Sequence, residues 1–253
     1  MIEGVSSLYY REMRIWTRTL WMVVSSFSTP ILYLVLFGLA MGGLIPPINY
    51  QGKNISYFLF LLPGVIAMSL NTTGSSVSWT VFMDRQMGSL EQIFSSRVSR
   101  SAYGIAKILS AETQSFIQVF LILTIGLLIV EEQNSIANLP LFILSTFLGS
   151  LFFSSFYITL SARVRSNDLL NAVMGLILLP MMFCSTMFYP LNAMPTWLRI
   201  VAKVNPMTYI ANCLRISLIG SMEQISVDIF VLCVIALLLF IASMISLRKI
   251  HIV

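Results

Sequence analysis

Long apolar stretches separated by short polar ones dominate the pattern of the chain. A helix needs about 20 apolar residues to cross the hydrocarbon core of a bilayer. Six stretches meet this requirement, at residues 19–52, 54–83, 108–130, 139–162, 169–189 and 225–247. The pattern predicts an all-α integral membrane protein whose single domain, 1–253, has six transmembrane helices. Spans one and two fall in 19–83, spans three to five in 108–190, and span six with a cytoplasmic tail in 224–253.

The first 18 residues precede the first span and predict an amphipathic helix that lies in the membrane interface. At 100° per residue, one face carries Ser7, Arg11, Arg14 and Arg18. The opposite face carries Val5, Tyr9, Met13, Trp16 and Leu20, with Glu12 near its edge. We expect the arginines to face lipid phosphates or a protein partner, although a simple topology anchor has the same pattern.

Residues 84–107 form the longest polar interruption and are predicted to be a cytoplasmic loop. Within it, Leu90, Ile93 and Phe94 have helical spacing, which indicates a short amphipathic helix. Its apolar side chains need a covering surface. That surface is either a separate protein or the membrane spans of this chain.

Residues 191–223 are too apolar for a solvated loop and too interrupted for a span. Pro195 and Pro206 each stand where a helix can begin, and Asn205 is a good N-cap for the second. The pattern predicts a re-entrant helical hairpin between spans five and six, on the outer side, with helices at about 195–204 and 206–219. Arg199, Lys203 and Arg215 are expected to point to the outer interface.

Composition supports the membrane assignment. The 253 residues are 57% hydrophobic and only 10% charged, with a mean hydropathy of +0.88, whereas soluble domains carry about 25% charged residues. This excludes a water-soluble globule, a disordered chain and a nucleic-acid binder. Three scattered cysteines and one histidine leave no disulfide framework, metal site or catalytic triad. We therefore expect no metal and no enzymatic activity in this chain.

The distribution of basic residues predicts the orientation of the spans. With a cytoplasmic N-terminus, eleven of the 15 lysines and arginines lie inside. The remaining four are Lys53, Arg199, Lys203 and Arg215. We expect a multi-pass protein of the plasma or inner membrane with both termini cytoplasmic, and with Lys53 and Glu131 outside.

Three stretches resemble the ABC-2 family of transporter permeases, the membrane half of many type V ABC exporters. They are the basic helix before span one, the run Asp84-Arg85-Gln86-Met87-Gly88-Ser89-Leu90-Glu91-Gln92-Ile93, and the phrases Phe188-Tyr189-Pro190, 194–198 and 205–209 ending at Arg215. The third stretch, from Phe188 to Arg215, looks like the corresponding stretch of drug-exporter members of the family. Gln86 and Ser95-Ser96 depart from the family, which often has an acid and a Thr-Pro there.

This resemblance implies a six-helix permease that pairs with a second permease, as a homodimer, and with two ABC ATPase subunits. The sequence has no G-x-x-x-x-G-K-[ST] loop, so ATP and Mg²⁺ are expected on the partner ATPase and no cofactor on this chain. The residues that the resemblance assigns to coupling are Asp84, Arg85, Gly88, Leu90, Glu91, Ile93, Phe94, Arg11 and Arg14.

Polar residues, methionines and a phenylalanine within spans two and five are candidates for a substrate path. By resemblance, spans two and five of two permeases face each other around it. The candidates are Asn71, Thr72, Ser75, Asn171, Met174, Phe183 and Met187. Small polar residues also permit close helix packing. Glu112, an intramembrane acid, is a functional candidate unless it snorkels or pairs with Arg100 or Lys107.

The function that these features predict is outward transport of an amphipathic small molecule or a lipid-like substrate, powered by the separate ATPase. An exporter of lipid-linked glycan or polysaccharide is an alternative with the same fold. Outside this class, an ion-coupled secondary transporter or a non-transporting membrane scaffold is the competing hypothesis. Four of the six spans carry no charge, and the other two carry one acid each, Glu112 and Asp228, which disfavours ion coupling.

Overall fold

The computed structural model describes residues 2–50, 52–96, 98–129, 136–164, 166–220 and 225–249. The helices in this part of the chain are α1 (Ile2–Arg18), α2 (Leu20–Tyr33), α3 (Tyr57–Gln86), α4 (Ser89–Ser95), α5 (Arg100–Ile129), α6 (Leu139–Ser161), α7 (Asn167–Phe183), α8 (Thr196–Val204), α9 (Pro206–Ile219) and α10 (Ile225–Arg248). A π-helical segment, Leu34–Ala40, continues α2, and a 3-10 turn, Leu191–Ala193, precedes α8.

Five segments of the described chain are long and apolar enough to cross a membrane, which confirms the helical membrane fold. They are Leu20–Ala40, Tyr57–Gln86, Arg100–Ile129, Leu139–Ser161 and Val227–Arg248. The predicted fifth span corresponds to α7, which has 17 residues and reaches only about 26 Å at 1.5 Å per residue. The count of six spans therefore remains a prediction that depends on α7.

Two parts of the fold differ from the expectations. A short antiparallel hairpin pairs β1 (Ile48–Tyr50) with β2 (Lys53–Ile55) after the first span. The predicted loop at 84–107 is mostly helical, because α3 continues through Gln86 and α5 begins at Arg100. Only α4 and its two short connections stand between these helices.

Helix α3 forms the centre of the bundle and is buried on nearly every side, including the small polar residues of its middle turns. It packs against α5, α6 and α9. A Cβ atom added at Gly74 would lie 2.7 Å from the backbone of Phe153 in α6, so glycine permits this close approach. By contrast, α2, α7 and α10 bury few of their side chains.

The helical hairpin after α7 has the predicted elements, and the Asn205 side chain caps α9 by accepting a hydrogen bond from the Met207 N–H. Arg215 does not point to the outer interface as expected, because it is fully buried. Its guanidinium donates to the Phe60 carbonyl at 3.2 Å, the Thr186 carbonyl at 2.9 Å and the Asn212 side chain at 3.1 Å. This cation joins α9 to α3 and to the end of α7.

Candidate coupling site and substrate path

An ion cluster joins α1, α3 and α5 at the end of the bundle that the orientation rule places in the cytoplasm. Lys107 Nζ lies 2.7 Å from Glu12 Oε2 and 2.8 Å from Asp84 Oδ2. Arg11 Nη2 lies 2.6 Å from Asp84 Oδ1. Thr80 accepts a further hydrogen bond from Lys107 Nζ, and Tyr103 donates to Asp84. The cluster ties the interfacial helix to two spans.

The charges of this cluster balance, since it contains two cations and two carboxylates. The Lys107 residue is only 1% exposed and Glu12 only 5%, so the pairs are largely shielded from water. Burial alone lowers the pKa of Arg11, but the Asp84 and Glu12 carboxylates outweigh it and hold that pKa above its ordinary value. Arg11 therefore stays positive and keeps the cluster neutral.

Asp84, Arg85 and Arg11 were predicted to contact an ATPase, and their side chains instead hold this chain together. Asp84 and Arg11 belong to the ion cluster. Arg85 donates to the carbonyls of Ala162 and Val164, just after α6. Their electrostatic partners are within the chain, so none of the three offers a free charge to a docking protein.

Sequence reasoning missed the roles of Glu12 and Lys107 in this cluster. The available signal was an acid at the edge of the apolar face of α1, where an unpaired charge is costly. That position requires a basic partner on the spans beneath it. Lys107 was assigned to the boundary of span three, and its partner helix could not be read from the chain alone.

The coupling segment, Gly88 to Phe94, begins at Gly88, whose φ of 70° favours glycine. Leu90 is only 2% exposed and packs in the bundle core, while Ile93 and Phe94 are half-buried against it. The Phe94 ring meets the Tyr103 ring edge to face at 6.0 Å. Of the two covering surfaces that the sequence allows, these side chains therefore use the spans of their own chain, and the role of the segment in coupling stays a prediction.

The outward face of this segment consists of other side chains. Met87 is 75% exposed, and Glu91, Gln92 and Ser95 are also exposed. On α1, Arg14 is exposed beside Tyr10. Gly4 of α1 lies against Val98, since a Cβ atom added at Gly4 would be 3.5 Å from that side chain. The start of α1 thus lies beside the connection between α4 and α5.

The predicted path residues separate into buried and accessible groups. Asn71 and Met187 are fully buried, and Asn71 accepts a hydrogen bond from Tyr157 at 3.0 Å. They do not face a path in this chain. Thr72, Ser75 and Met174 are half-buried, whereas Asn171 and Phe183 are exposed. The Ser75 hydroxyl lies 3.4 Å from Met174 Sδ, which places these parts of α3 and α7 side by side.

Glu112 lies inside the bundle on α5 and is 6% exposed. In the described part of the chain, neither carboxyl oxygen accepts a hydrogen bond of normal geometry. The Ser150 side chain on α6 lies close to the carboxyl group. The alternative that it pairs with Lys107 does not hold, because Lys107 binds Glu12 and Asp84. No ion pair joins Glu112 to Arg100 among the described residues either. Within the described ranges, Glu112 is a buried acid that no lysine or arginine pairs with.

Comparison with known proteins decides the family. The family model described as ABC-2 type transporter matches residues 3–219. The chain belongs to the ABC-2 type transporter family. It is similar to the transport permease ycf38 of Cyanophora paradoxa, with 27% identity over 76% of this chain and 66% of that protein.

Two relatives from Escherichia coli K12 are similar at lower identity. The inner membrane transport permease YadH is 24% identical over 83% of this chain and 79% of its own length. The multidrug ABC transporter permease YbhR is 24% identical over 64% of this chain and 44% of its own length. These matches confirm the predicted resemblance and identify a multi-pass membrane protein of a transport permease family.

Proposed function

We propose that this chain is the permease subunit of an ATP-driven ABC exporter that moves an amphipathic small molecule or a lipid-like substrate outward. The observation that carries the proposal is the family match over residues 3–219. The similarity to YbhR, which is named as a multidrug permease, supports an amphipathic substrate. Because the sequence has no phosphate-binding loop, ATP and Mg²⁺ are assigned to a partner subunit.

The ATPase is proposed to dock on the exposed face of α4 and on the neighbouring face of α1. Met87 offers the most exposed apolar side chain there, and Glu91 and Arg14 offer charges of opposite sign. Charges at the rim of an interface mainly set orientation and the rate of association. This patch replaces the apolar trio that the sequence suggested.

The ion cluster gives this docking site a physical link to the spans. Asp84 lies three residues before Met87, and it is bonded to α1 and α5 through Arg11 and Lys107. A displacement of α4 would therefore move the cytoplasmic ends of three helices together. That movement is what alternating access between inward-open and outward-open states requires.

The assembly is proposed to contain two permeases, as a homodimer, and two ATPase subunits in the plasma or inner membrane, with both termini cytoplasmic. The apolar faces that α2, α7 and α10 leave exposed are surfaces for the second permease and for lipids.

Charge reversal on α4 tests the docking site. We expect Glu91→Lys to reduce recovery of the ATPase with the affinity-tagged permease about tenfold and to abolish ATP-dependent efflux, while the melting temperature of the permease stays unchanged. The matched control is Asp168→Lys, an exposed acid in the first turn of α7, away from α1 and α4. Full recovery of the ATPase with Glu91→Lys, together with wild-type efflux, would contradict the docking site.

Ion-coupled transport is the second candidate function, and Glu112 is the observation that favours it, because intramembrane acids often carry coupling ions. The matched test uses proteoliposomes with a proton or sodium gradient and no nucleotide, for the wild type and for Glu112→Gln. If the chain is an ABC permease, both the wild type and Glu112→Gln should show efflux only when ATP and the partner ATPase are present. Gradient-driven efflux that Glu112→Gln abolishes would favour the second candidate.

A further inference from the structure

A large apolar cleft opens between the end of the first span and the end of α7. Its volume is about 530 Å³, within the range of small-molecule sites. The residues that carry the argument are Phe37, Met41, Ile48, Phe183, Phe188 and Ala193. Among the predicted path residues, Phe183 lines this cleft, whereas Asn171 and Met174 lie elsewhere on α7.

The wall of the cleft is chemically uniform. Of the described residues that line it, none carries a charge, and the polar side-chain groups are the hydroxyls of Tyr57 and Tyr189. The Tyr189 hydroxyl is already occupied, since it donates to the Phe183 carbonyl. Three of the lining rings pack together, since Phe188 lies 5.3 Å from Phe37 and 5.4 Å from Phe183. Tyr33, outside the lining, stacks on Phe37 at 5.5 Å.

A second, independent feature marks the same place. The π-helical segment Leu34–Ala40 carries Phe37 into the wall and leads directly to Met41. Such wide turns are rare and are frequent at functional sites. The segment packs tightly on α3, because a Cβ atom added at Gly38 would lie 2.7 Å from the Phe58 ring. The distorted helix therefore holds one side of the cleft in a fixed position.

We propose that this cleft binds the hydrocarbon tail of an amphiphile, at the level of the outer leaflet. A cytoplasmic N-terminus places Ala40, about 30 Å along the helix from Leu20, near the outer surface. The cleft opens beside two membrane helices, so a tail can enter sideways from the bilayer. Tails in lipid gain little hydrophobic energy by moving to protein. The binding free energy comes instead from van der Waals contacts, because the tail fills a space whose lining side chains would otherwise lack contact partners.

The tail can belong to a bilayer phospholipid or to the transported amphiphile, and the second reading rests on the proposed function. Two probes separate these sources. Each carries a photoactivatable diazirine near the end of the tail: one is a diacyl phosphatidylcholine, the other a single-chain lysophosphatidylcholine. The full-length permease is labelled in lipid nanodiscs without ATPase or ATP, and the labelled residues are mapped by mass spectrometry.

We expect the single-chain probe to label Met41 and Phe183 at least fivefold more than Leu238, an exposed residue of α10. Unlabelled lysophosphatidylcholine should compete at Met41 and Phe183 but not at Leu238. Ala193→Trp should fill the cleft and lower the labelling several-fold, with Met41→Trp as a second filling variant that is read at Phe183. Ala172→Trp, on an exposed part of α7 outside the cleft, should change nothing.

If only the diacyl probe gives saturable labelling, the cleft is still a tail-binding site, and the tail it binds belongs to a bilayer phospholipid. Labelling at Met41 and Phe183 that equals Leu238, or that does not saturate, would overturn the proposal. So would an efficient disulfide between copies carrying Met41→Cys, because a second protein chain would then cover the cleft. Since labelling needs no ATP, a failure of the proposed export function would leave this result unaffected.

Discussion

Single residues determine how the cytoplasmic end of the protein holds together, and Lys107 is the clearest case. It is the cation shared by Glu12 and Asp84, and all three are buried. Removal of one partner from a buried ion pair costs about 3–5 kcal/mol, because the remaining charge stays unpaired in a poorly solvating site. The stability of the permease should therefore depend on this lysine.

We predict that Lys107→Met lowers the melting temperature of the detergent-solubilised permease, and that Glu12→Gln added to it restores part of the loss. The double variant regains neutrality, since Arg11 then faces the single carboxylate of Asp84. The measurement is thermal unfolding followed by size-exclusion chromatography. Lys203→Met, at an exposed position on α8, is the control. Equal losses in the single and double variants would show that charge balance is not the cause.

The sequence identified charged residues correctly but not their partners. Arg11, Asp84 and Arg85 are adjacent to the predicted interface in the chain, and their charges suggested contact with another protein. Arg11 pairs with Asp84, 73 positions away, and Arg85 bonds to the Ala162 carbonyl, 77 positions away. Such pairing depends on how helices pack, which no local pattern encodes. The position of Arg215 was predicted wrongly for the same reason, because the sequence alone does not distinguish a buried arginine from an interfacial one.

At the scale of elements, most of the helices could be predicted from the apolar runs and from the capping residues. Asn205 and the two prolines gave the boundaries of α8 and α9 within about one residue. The β-hairpin was missed because strands of three residues are too short to show an alternating pattern. The π-helical segment was missed because its residues have the same apolar character as an ordinary helix.

The attachment of α9 to α3 makes a prediction at this scale. Arg215 donates three hydrogen bonds, and its guanidinium lies 3.9 Å from the centre of the Phe60 ring. In Arg215→Lys the compact ammonium cannot reproduce this planar geometry, and each buried acceptor left unpaired costs about 1–3 kcal/mol. We expect amide hydrogen exchange across 206–219 to rise by at least tenfold, while exchange across α5 stays the same.

Arg199→Lys is the matched control, because Arg199 also donates to backbone carbonyls, those of Leu191, Asn192 and Met194, but is partly exposed. Water can replace its lost hydrogen bonds, so exchange across 206–219 should not change. Similar exchange in Arg215→Lys and the wild type would mean that apolar packing alone holds α9. In that case the buried cation would have no anchoring role.

At the scale of the whole molecule, the orientation of the chain depends on whether α7 crosses the membrane. With 17 residues, α7 is at the lower limit for a span. If it crosses, Arg163 and the pair Arg248–Lys249 lie on the same side, as the preference for internal positive charge requires. If it does not cross, Arg248 and Lys249 would lie outside, against the contacts that Arg248 makes with Arg100 and Ser101 at the cytoplasmic start of α5. The polar ends of α7 can distinguish these two topologies.

We predict that α7 crosses, so that a cysteine at Asn167 reacts from the cytoplasm and one at Asn192 reacts from the outside. Both positions are exposed in the structure. The measurement uses a membrane-impermeant maleimide on intact cells and on inside-out vesicles, with the three native cysteines replaced by alanine. Lys53→Cys should mark the outer side and Glu91→Cys the inner side, whereas Glu131, also predicted to be outside, lies beyond the described residues.

If cysteines at 167 and 192 react from the same side, α7 is a re-entrant segment and the protein has five spans. The outer-leaflet position of the apolar cleft would survive that result, because it depends only on the first span and on Lys53 being outside.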